Sequence, residues 1–438
     1  MKSIGVLFAF IVAVLYFFPF VFYFFPIANT KMILGVMGLC AIGFNASKSK
    51  LPVANNAIVL TSVLAFVVSF CALVSVVVNE KSDYTYVSYF ISMWVWLGAA
   101  YFLAIVIRFV HGEISIPLVL NYLIAVCAFQ CLYAVLIMHF PFFDNLQRSI
   151  VGSLGMAEVG AKTRALERIH GFSAALDFSG TRFAVIEMCI CYMLYSSPYK
   201  RWHKTALFLY AGCFMLIAVV GNMIARTTSV GVLVGLAYCL YALLFSKDNT
   251  QKKQVSLMFL FFGVLAIVLA VLLYNNNQTY HENLRFAFEG FFSLWENGEW
   301  NTNSNDILVD MYRWPETLHT WIIGDGYFNN PVRTDPYYIG YQWKGFYMGS
   351  DVGFVRFIFY FGLVGLLVFS IFMITVGRLC MNLSRRFRLM FFLAILINFI
   401  VWFKVATDLF LFFAPFLWIT MLMEKDAEYK IYIPVAKV

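Results

Sequence analysis

Apolar residues fall in long runs along the chain, near 4–26, 31–46, 57–78, 87–109, 116–140, 176–196, 205–223, 229–246, 256–274, 352–376, 389–404 and 408–423. A bilayer core takes about 20 apolar residues per helix. The pattern therefore predicts an all-α integral membrane protein with about twelve transmembrane helices. The second run and the last two are short, which suits tilted, interrupted or incompletely spanning helices. The last two are parted only by Lys404-Val-Ala-Thr-Asp408. The first run, from about Ile4 to Ile27, is too long for a cleaved signal peptide, and no small-residue cleavage site follows it. It reads as an uncleaved first span.

The connecting segments sort into two alternating sets. One holds Lys48 and Lys50; Arg108; Lys200, Arg201 and Lys204; Lys247, Lys252 and Lys253; and Arg378, Arg385, Arg386 and Arg388. These segments are short, basic and nearly free of acids, which makes them cytoplasmic by the bias of Lys and Arg toward that side. Both termini are then expected in the cytoplasm. The opposite side carries two long segments, about 141–177 and 274–350. The expected division is residues 1–273 with nine spans and the loop 141–177, the large loop 274–350, and residues 351–438 with three spans and a tail. Loops of such length without regular structure are uncommon unless functional, so short helices lying on the membrane surface are expected in the second. That loop is rich in Tyr, Asn, acids and Trp, with Trp295, Trp300, Trp314, Trp321 and Trp343. Such aromatics serve either as interface anchors or as platforms for sugar rings. No internal repeat of the kind found in two-halved transporters is visible.

Composition narrows the class. Of 438 residues, 62% are hydrophobic, 19% aromatic and only 12% charged, against about 25% charged in soluble domains. That excludes a soluble enzyme, a disordered chain and a nucleic-acid binder. The net charge of +8 fits the orientation bias and calls for no polyanion. All nine cysteines lie in or beside apolar runs, so packing thiols are expected instead of a disulfide framework or a zinc site.

Several charges stand where they are costly. The first outer loop contains Arg148, Lys162, Arg164 and Arg168, the next span opens with Arg182, and Arg226 sits in the short outer turn Asn222–Thr228. Each alone reads as a side chain snorkelling to the headgroups. Together they form a cationic cluster at the outer interface, where guanidinium forks suit the phosphate oxygens of a lipid-linked diphosphate. Asp351 stands between the large loop and a deep apolar run, as a helix cap, a proton acceptor or both. The other outer acids, Glu289 among them, read as solvated loop charges. His170 and Asp177 flank the cationic segment, and Glu187 lies within a span, most simply paired to a polar group of a neighbouring helix. Phosphate-binding GxxxxGK[ST], HExxH and DxD motifs are absent from the chain. Any glycosyl transfer would thus use a lipid-linked donor on the outer side, with arginines in place of a metal.

Four segments carry a resemblance. They are Arg168-Ile-His-Gly-Phe172 ahead of a span; Ala225-Arg-Thr-Thr-Ser-Val-Gly231 continuing to Gly235; Ile323-Gly-Asp-Gly326 late in the large loop; and Asp351-Val-Gly-Phe-Val-Arg356 running on to Gly362 and Gly365. In order and topological side they resemble the O-antigen polymerase and ligase superfamily of bacterial membrane glycosyltransferases (Wzy- and WaaL-like). Ala225 departs from that family's usual Ser. Ligases commonly carry His where this chain has Asp351, which favours the polymerase. The resemblance implies a lipid-donor (GT-C-like) glycosyltransferase in the bacterial inner membrane that joins oligosaccharide units at the periplasmic face. Undecaprenyl-diphosphate-linked units are then donor and acceptor, membrane lipids surround the protein, a chain-length regulator is a partner, and no cofactor is needed. On this reading Arg226, Arg168 and Arg182 bind the diphosphate. Asp351 or His170 takes the acceptor proton, and Trp314, Trp321 and Arg313 hold sugars. The alternatives are a ligase transferring polymer to lipid A core, and a repeat-unit flippase or other twelve-span transporter.

Overall fold

A computed structural model describes residues 2–47, 56–153, 169–196, 204–245, 249–331, 333–336, 338 and 345–432. The chain is a bundle of long helices with a layer of short elements gathered over one end. In order come α1 (Lys2–Phe17), strands β1 (Val21–Phe22) and β2 (Phe25–Asn29), α2 (Thr30–Ser47), α3 (Asn56–Val78), α4 (Tyr89–His111), α5 (Ile116–His139), α6 (Pro141–Ile150), β3 (Val151–Ser153) and α7 (Leu176–Ser196). Next are α8 (Lys204–Leu216), extended by a π-turn at Ile217–Gly221, and α9 (Thr228–Phe245) and α10 (Asn249–Asn276). The large loop holds α11 (Gln278–Ala287), α12 (Glu289–Asn297), α13 (Asn303–Asp310) and α14 (Leu318–Ile322). The chain then returns through α15 (Gly353–Leu383), α16 (Arg388–Trp402) and α17 (Phe410–Tyr432).

Among the described residues, eight helices are long and apolar enough to cross a membrane, the architecture of a multi-pass membrane protein. The remaining expected spans are three shorter apolar helices, Ser3–Phe17, Arg388–Trp402 and Phe410–Ile419, and α7, whose Asp177, Arg182 and Glu187 break its apolar run. Large apolar side chains such as Phe66, Leu233 and Ile267 point outward, and α10 buries only 6% of its most apolar stretch against the bundle. Such a surface is stable only where hydrocarbon covers it. Inside, the fully buried Trp402 stacks on Phe369 at 5.2 Å and meets Phe357 at 4.8 Å, joining α15 to α16. Helices α7 and α9 pack so closely that a Cβ on Gly231 would lie 2.1 Å from the Ala184 carbonyl oxygen. Within α7, Glu187 is fully buried, and neither carboxyl oxygen has a hydrogen-bond partner among the described residues. The expected polar partner from a neighbouring helix is thus not found there.

The end layer is tied down by backbone pairing. Strand β1 pairs antiparallel with both β2 and β3, which fastens the α1–α2 connection to the segment after α6. The large loop folds into short helices, as its length required. Their caps are local: the Asn277, Thr302 and Thr317 side chains accept the first N–H groups of α11, α13 and α14.

Residues 352–376 read as one continuous span, yet α15 is broken. Phe361 leaves helical geometry, and Gly362 takes φ +68°. Such a break leaves carbonyl groups unpaired inside an apolar bundle, where each must find another donor. The large loop supplies them. The Asp325 N–H donates to Phe359 O at 2.6 Å and the Gly326 N–H to Tyr360 O at 3.2 Å. Ser75 Oγ of α3 also donates to Tyr360 O, at 2.7 Å, and Asn79 Nδ2 donates to Gly324 O at 3.0 Å. Two segments singled out separately in the sequence, Ile323–Gly326 and Asp351–Gly365, thus meet. A Cβ on Gly362 would lie 2.1 Å from the Ile322 carbonyl oxygen. Gly362→Ala should therefore destabilise the bundle by about 2 kcal/mol or more, measured as a lowered midpoint of thermal unfolding in detergent. An unchanged midpoint would show that the break does not hold the loop.

Candidate functional site

The turn between α8 and α9 places Arg226. The π-turn ends at Gly221, whose carbonyl accepts both the Ala225 N–H at 2.8 Å and the Thr228 hydroxyl at 3.1 Å. This tight reversal leaves Arg226 at the bundle end. Its Nη1 lies 2.5 Å from Glu289 Oε2, and its guanidinium sits 4.0 Å over the Phe286 ring. Glu289, read from sequence as a solvated loop charge, is therefore the counter-ion of the central arginine. The side chains are 17% and 29% exposed, so the pair is shielded but reachable.

Asp177 opens α7 beside this turn. Its Oδ1 accepts the Thr227 hydroxyl at 2.6 Å and lies 3.2 Å from Lys404 Nζ, and that ammonium also donates to Thr227 Oγ1 at 3.2 Å. Lys404 comes from the short turn between α16 and α17. The same turn carries Asp408, whose Oδ1 accepts the Phe410 N–H at 2.9 Å. Lys31 and Arg182 lie close enough to Asp408 to act on its charge. Lys31 lies 4.7 Å over the Trp96 ring and Arg182 lies 5.3 Å from Phe18. Arg182 stands on the second turn of α7, and its Nε is buried without a hydrogen-bond partner among the described residues. The cationic residues Lys31, Arg182, Arg226 and Lys404 are thus gathered around Asp177, Asp408 and Glu289.

Asp351 takes a different place from the one its position suggested. Helix α15 begins after Val352 without a side-chain cap, and Ser350 Oγ accepts the Val352 N–H at 3.3 Å. Asp351 Oδ1 instead lies 3.6 Å from Arg356 Nη1. Arg356, 4% exposed, is held between the Phe328 and Phe346 rings at 3.5 and 4.1 Å, and donates to Phe328 O at 2.8 Å. Arg356, on the first turn of α15, therefore clamps the large loop to the start of that helix. Asp83 clamps it from the other side, accepting the Phe328 and Asn329 N–H groups at 2.8 and 3.1 Å.

His170 lies in the turn before α7, its Nδ1 3.2 Å from the Gly171 carbonyl. Gln147 holds that turn through Phe172 O at 2.8 Å, and Gln130 holds it through the Ser173 N–H at 3.1 Å. Arg168, with Lys162 and Arg164, lies outside the described residues. Trp314 and Trp321 come together as a stacked pair, 5.8 Å apart and 10° from parallel. Arg313 is exposed beside them. The Tyr312 hydroxyl donates to Phe403 O at 2.6 Å, which tethers this pair one residue from Lys404.

Lys31, Lys404, Asp408 and the role of Glu289 were not identified from sequence. A usable signal existed for two of them: Lys404 and Asp408 bracket the polar interruption between two apolar runs. No protein-family model matches the chain, and no curated protein or solved structure is similar to it.

If the Arg226–Glu289 pair joins the large loop to the bundle, the two residues are energetically coupled. A double-mutant cycle over Arg226→Ala and Glu289→Ala, read by thermal unfolding in detergent, should give a coupling of about 1 kcal/mol. Additive effects would show that the pair contributes no fastening.

Proposed function

We propose that the chain is a membrane glycosyltransferase that polymerises undecaprenyl-diphosphate-linked oligosaccharide units into O-antigen or a related surface polysaccharide. On this reading it is an O-antigen polymerase with twelve spans in the bacterial inner membrane, its termini in the cytoplasm and its large loop in the periplasm. The observation that carries the reading is the gathering of Arg182, Arg226 and Lys404 at one end of an apolar bundle, under a loop rich in aromatic and amide side chains. A diphosphate on a lipid carrier presents its charge at that depth and its sugars to the loop.

In the reaction, the acceptor hydroxyl attacks the anomeric carbon of the donor chain. The bond from that carbon to the diphosphate oxygen breaks, and lipid diphosphate leaves. Arg226 and Arg182, with Arg168 from the first outer loop, bind the diphosphate and neutralise the charge that grows on it. Fixed cations in a site of low polarity stabilise that charge without reorganising. Asp351, or His170 in its place, takes the proton of the attacking hydroxyl. Trp314 and Trp321, with Arg313, border the path of the sugars. A chain-length regulator is the expected protein partner, and no cofactor takes part.

A second reading, a repeat-unit flippase, draws on Glu187, a carboxyl buried without a partner among the described residues halfway along α7. Intramembrane acids of this kind mark proton pathways in transporters. One assay separates the two. Purified protein in detergent is given lipid-linked units with no ion gradient, and a polymerase yields products longer than one unit. Arg226→Ala, expressed at the wild-type level, should lower that rate by about 10²–10³. Normal chain length from this variant would sink the assignment.

A further inference from the structure

A cleft of about 370 Å³ opens between α11, α12 and the start of α13. It lies in the large loop, apart from the tryptophan pair. Its lining includes Glu289, Phe292, Asn297, Asn301, Asn303 and Asp306. Three features set it apart from an ordinary surface hollow. Its frame is braced: the Arg285 guanidinium grips Glu296 with two parallel hydrogen bonds, at 2.8 Å and 2.5 Å, and the Asn301 N–H donates to Ser293 Oγ at 3.3 Å. Its amides are uncommitted: the side chains of Asn297, Asn301 and Asn303 make no hydrogen bond with a described residue. Its aromatic component is fixed in place, Phe292 being stacked on Tyr274 at 5.3 Å and 15°.

The cleft is also continuous with the candidate diphosphate site through one side chain. Glu289 Oε2 holds Arg226 at 2.5 Å, while Glu289 Oε1 accepts the Asn303 N–H at 3.1 Å. A ligand with its charged group at Arg226 would therefore extend its next rings toward the amides.

We propose that this cleft is a carbohydrate subsite that takes uncharged or N-acetylated amino-sugar pyranoses and rejects acidic sugars. Each amide offers both a donor and an acceptor, the combination that vicinal hydroxyls and N-acetyl groups demand. The Phe292 ring, which also carries the Arg285 guanidinium at 5.5 Å, gives the cleft an apolar border beside them. The volume falls at the small end of ligand sites, which suits one or two rings. Charge sets the selectivity. Glu289 is matched by Arg226 and Glu296 by Arg285, whereas Asp306 has no ion-pair partner among the described residues. The lining is therefore one carboxylate in excess, and a uronate would meet like charge. The inference rests on the glycosyltransferase reading for its class of ligand.

The test is saturation-transfer NMR on the full-length protein in lipid nanodiscs, with maltose, N,N′-diacetylchitobiose and digalacturonic acid as probes and no lipid-linked donor present. Transfer is expected to the ring protons of a neutral disaccharide and not to digalacturonate. Replacing both Asn301 and Asn303 by Ala should weaken neutral binding about tenfold, the effect of two lost hydrogen bonds. These amides are exposed, so the melting temperature should stay at its wild-type value. Asp306→Asn should admit digalacturonate, raising its binding toward that of the neutral probes. No transfer from any neutral probe, equal binding of digalacturonate, or full binding by the double variant would each overturn the subsite. Because no donor is present, the subsite can fail while Arg226→Ala still abolishes polymerisation. Equally, it can stand if that variant polymerises normally.

Discussion

The broken turn in α15 is the constraint on which the outer end of the molecule depends. A helix inside an apolar bundle has no water to satisfy an interrupted ladder. The carbonyls of Phe359 and Tyr360 therefore have to be met by fixed donors, and Asp325 and Gly326 of the large loop provide them together with Ser75. The loop is thus held by the bundle's own backbone. Arg356 and Asp83 reinforce this hold two and three residues beyond Gly326, through Phe328 and Asn329. A single glycine with positive φ makes the arrangement possible.

Around this anchored loop, the cations of the bundle end stand opposite carboxylates. Arg226 faces Glu289, Lys404 faces Asp177, and Arg356 faces Asp351. Unpaired charge so close to an apolar phase is costly, so the resting protein supplies its own anions. Carboxylates hold guanidinium groups with the same fork geometry that phosphates use. An incoming dianion would then compete with partners of lesser charge. Lys31 and Arg182 differ, since they share the half-buried Asp408 and lean on the rings of Trp96 and Phe18.

The helical membrane class was legible at once, because a run of apolar residues is read without knowledge of its neighbours. Arg226 and Arg182 were legible for a related reason: a cation at the wrong depth stands out along one dimension. The partners were not. Glu289 lies 63 positions from Arg226 and looked like any loop acid. Lys404 looked like a mere interruption, and its relation to Asp177 depends on how α7 and α16 pack. The break in α15 was hidden because Phe361 and Gly362 sit in a run whose hydropathy never falters. Trp314 and Trp321 were named from sequence as aromatic platforms in the large loop, but their stacking on one another was not foreseen. Of the two roles open to Asp351, the helix cap is not seen, because its carboxylate faces the buried Arg356 instead.

The fastening of the large loop also bears on chain entropy. Closing a free loop costs configurational freedom that grows only with the logarithm of its length, whereas ordering every residue within it costs far more. Between Glu289 and Asn329 the loop is tied to the bundle at Arg226, Phe403, Asn79, Tyr360 and Asp83. Each tie turns one long excursion into shorter ones that start and end at known points. The freedom a flexible surface would surrender on meeting a ligand has therefore been lost already, during folding.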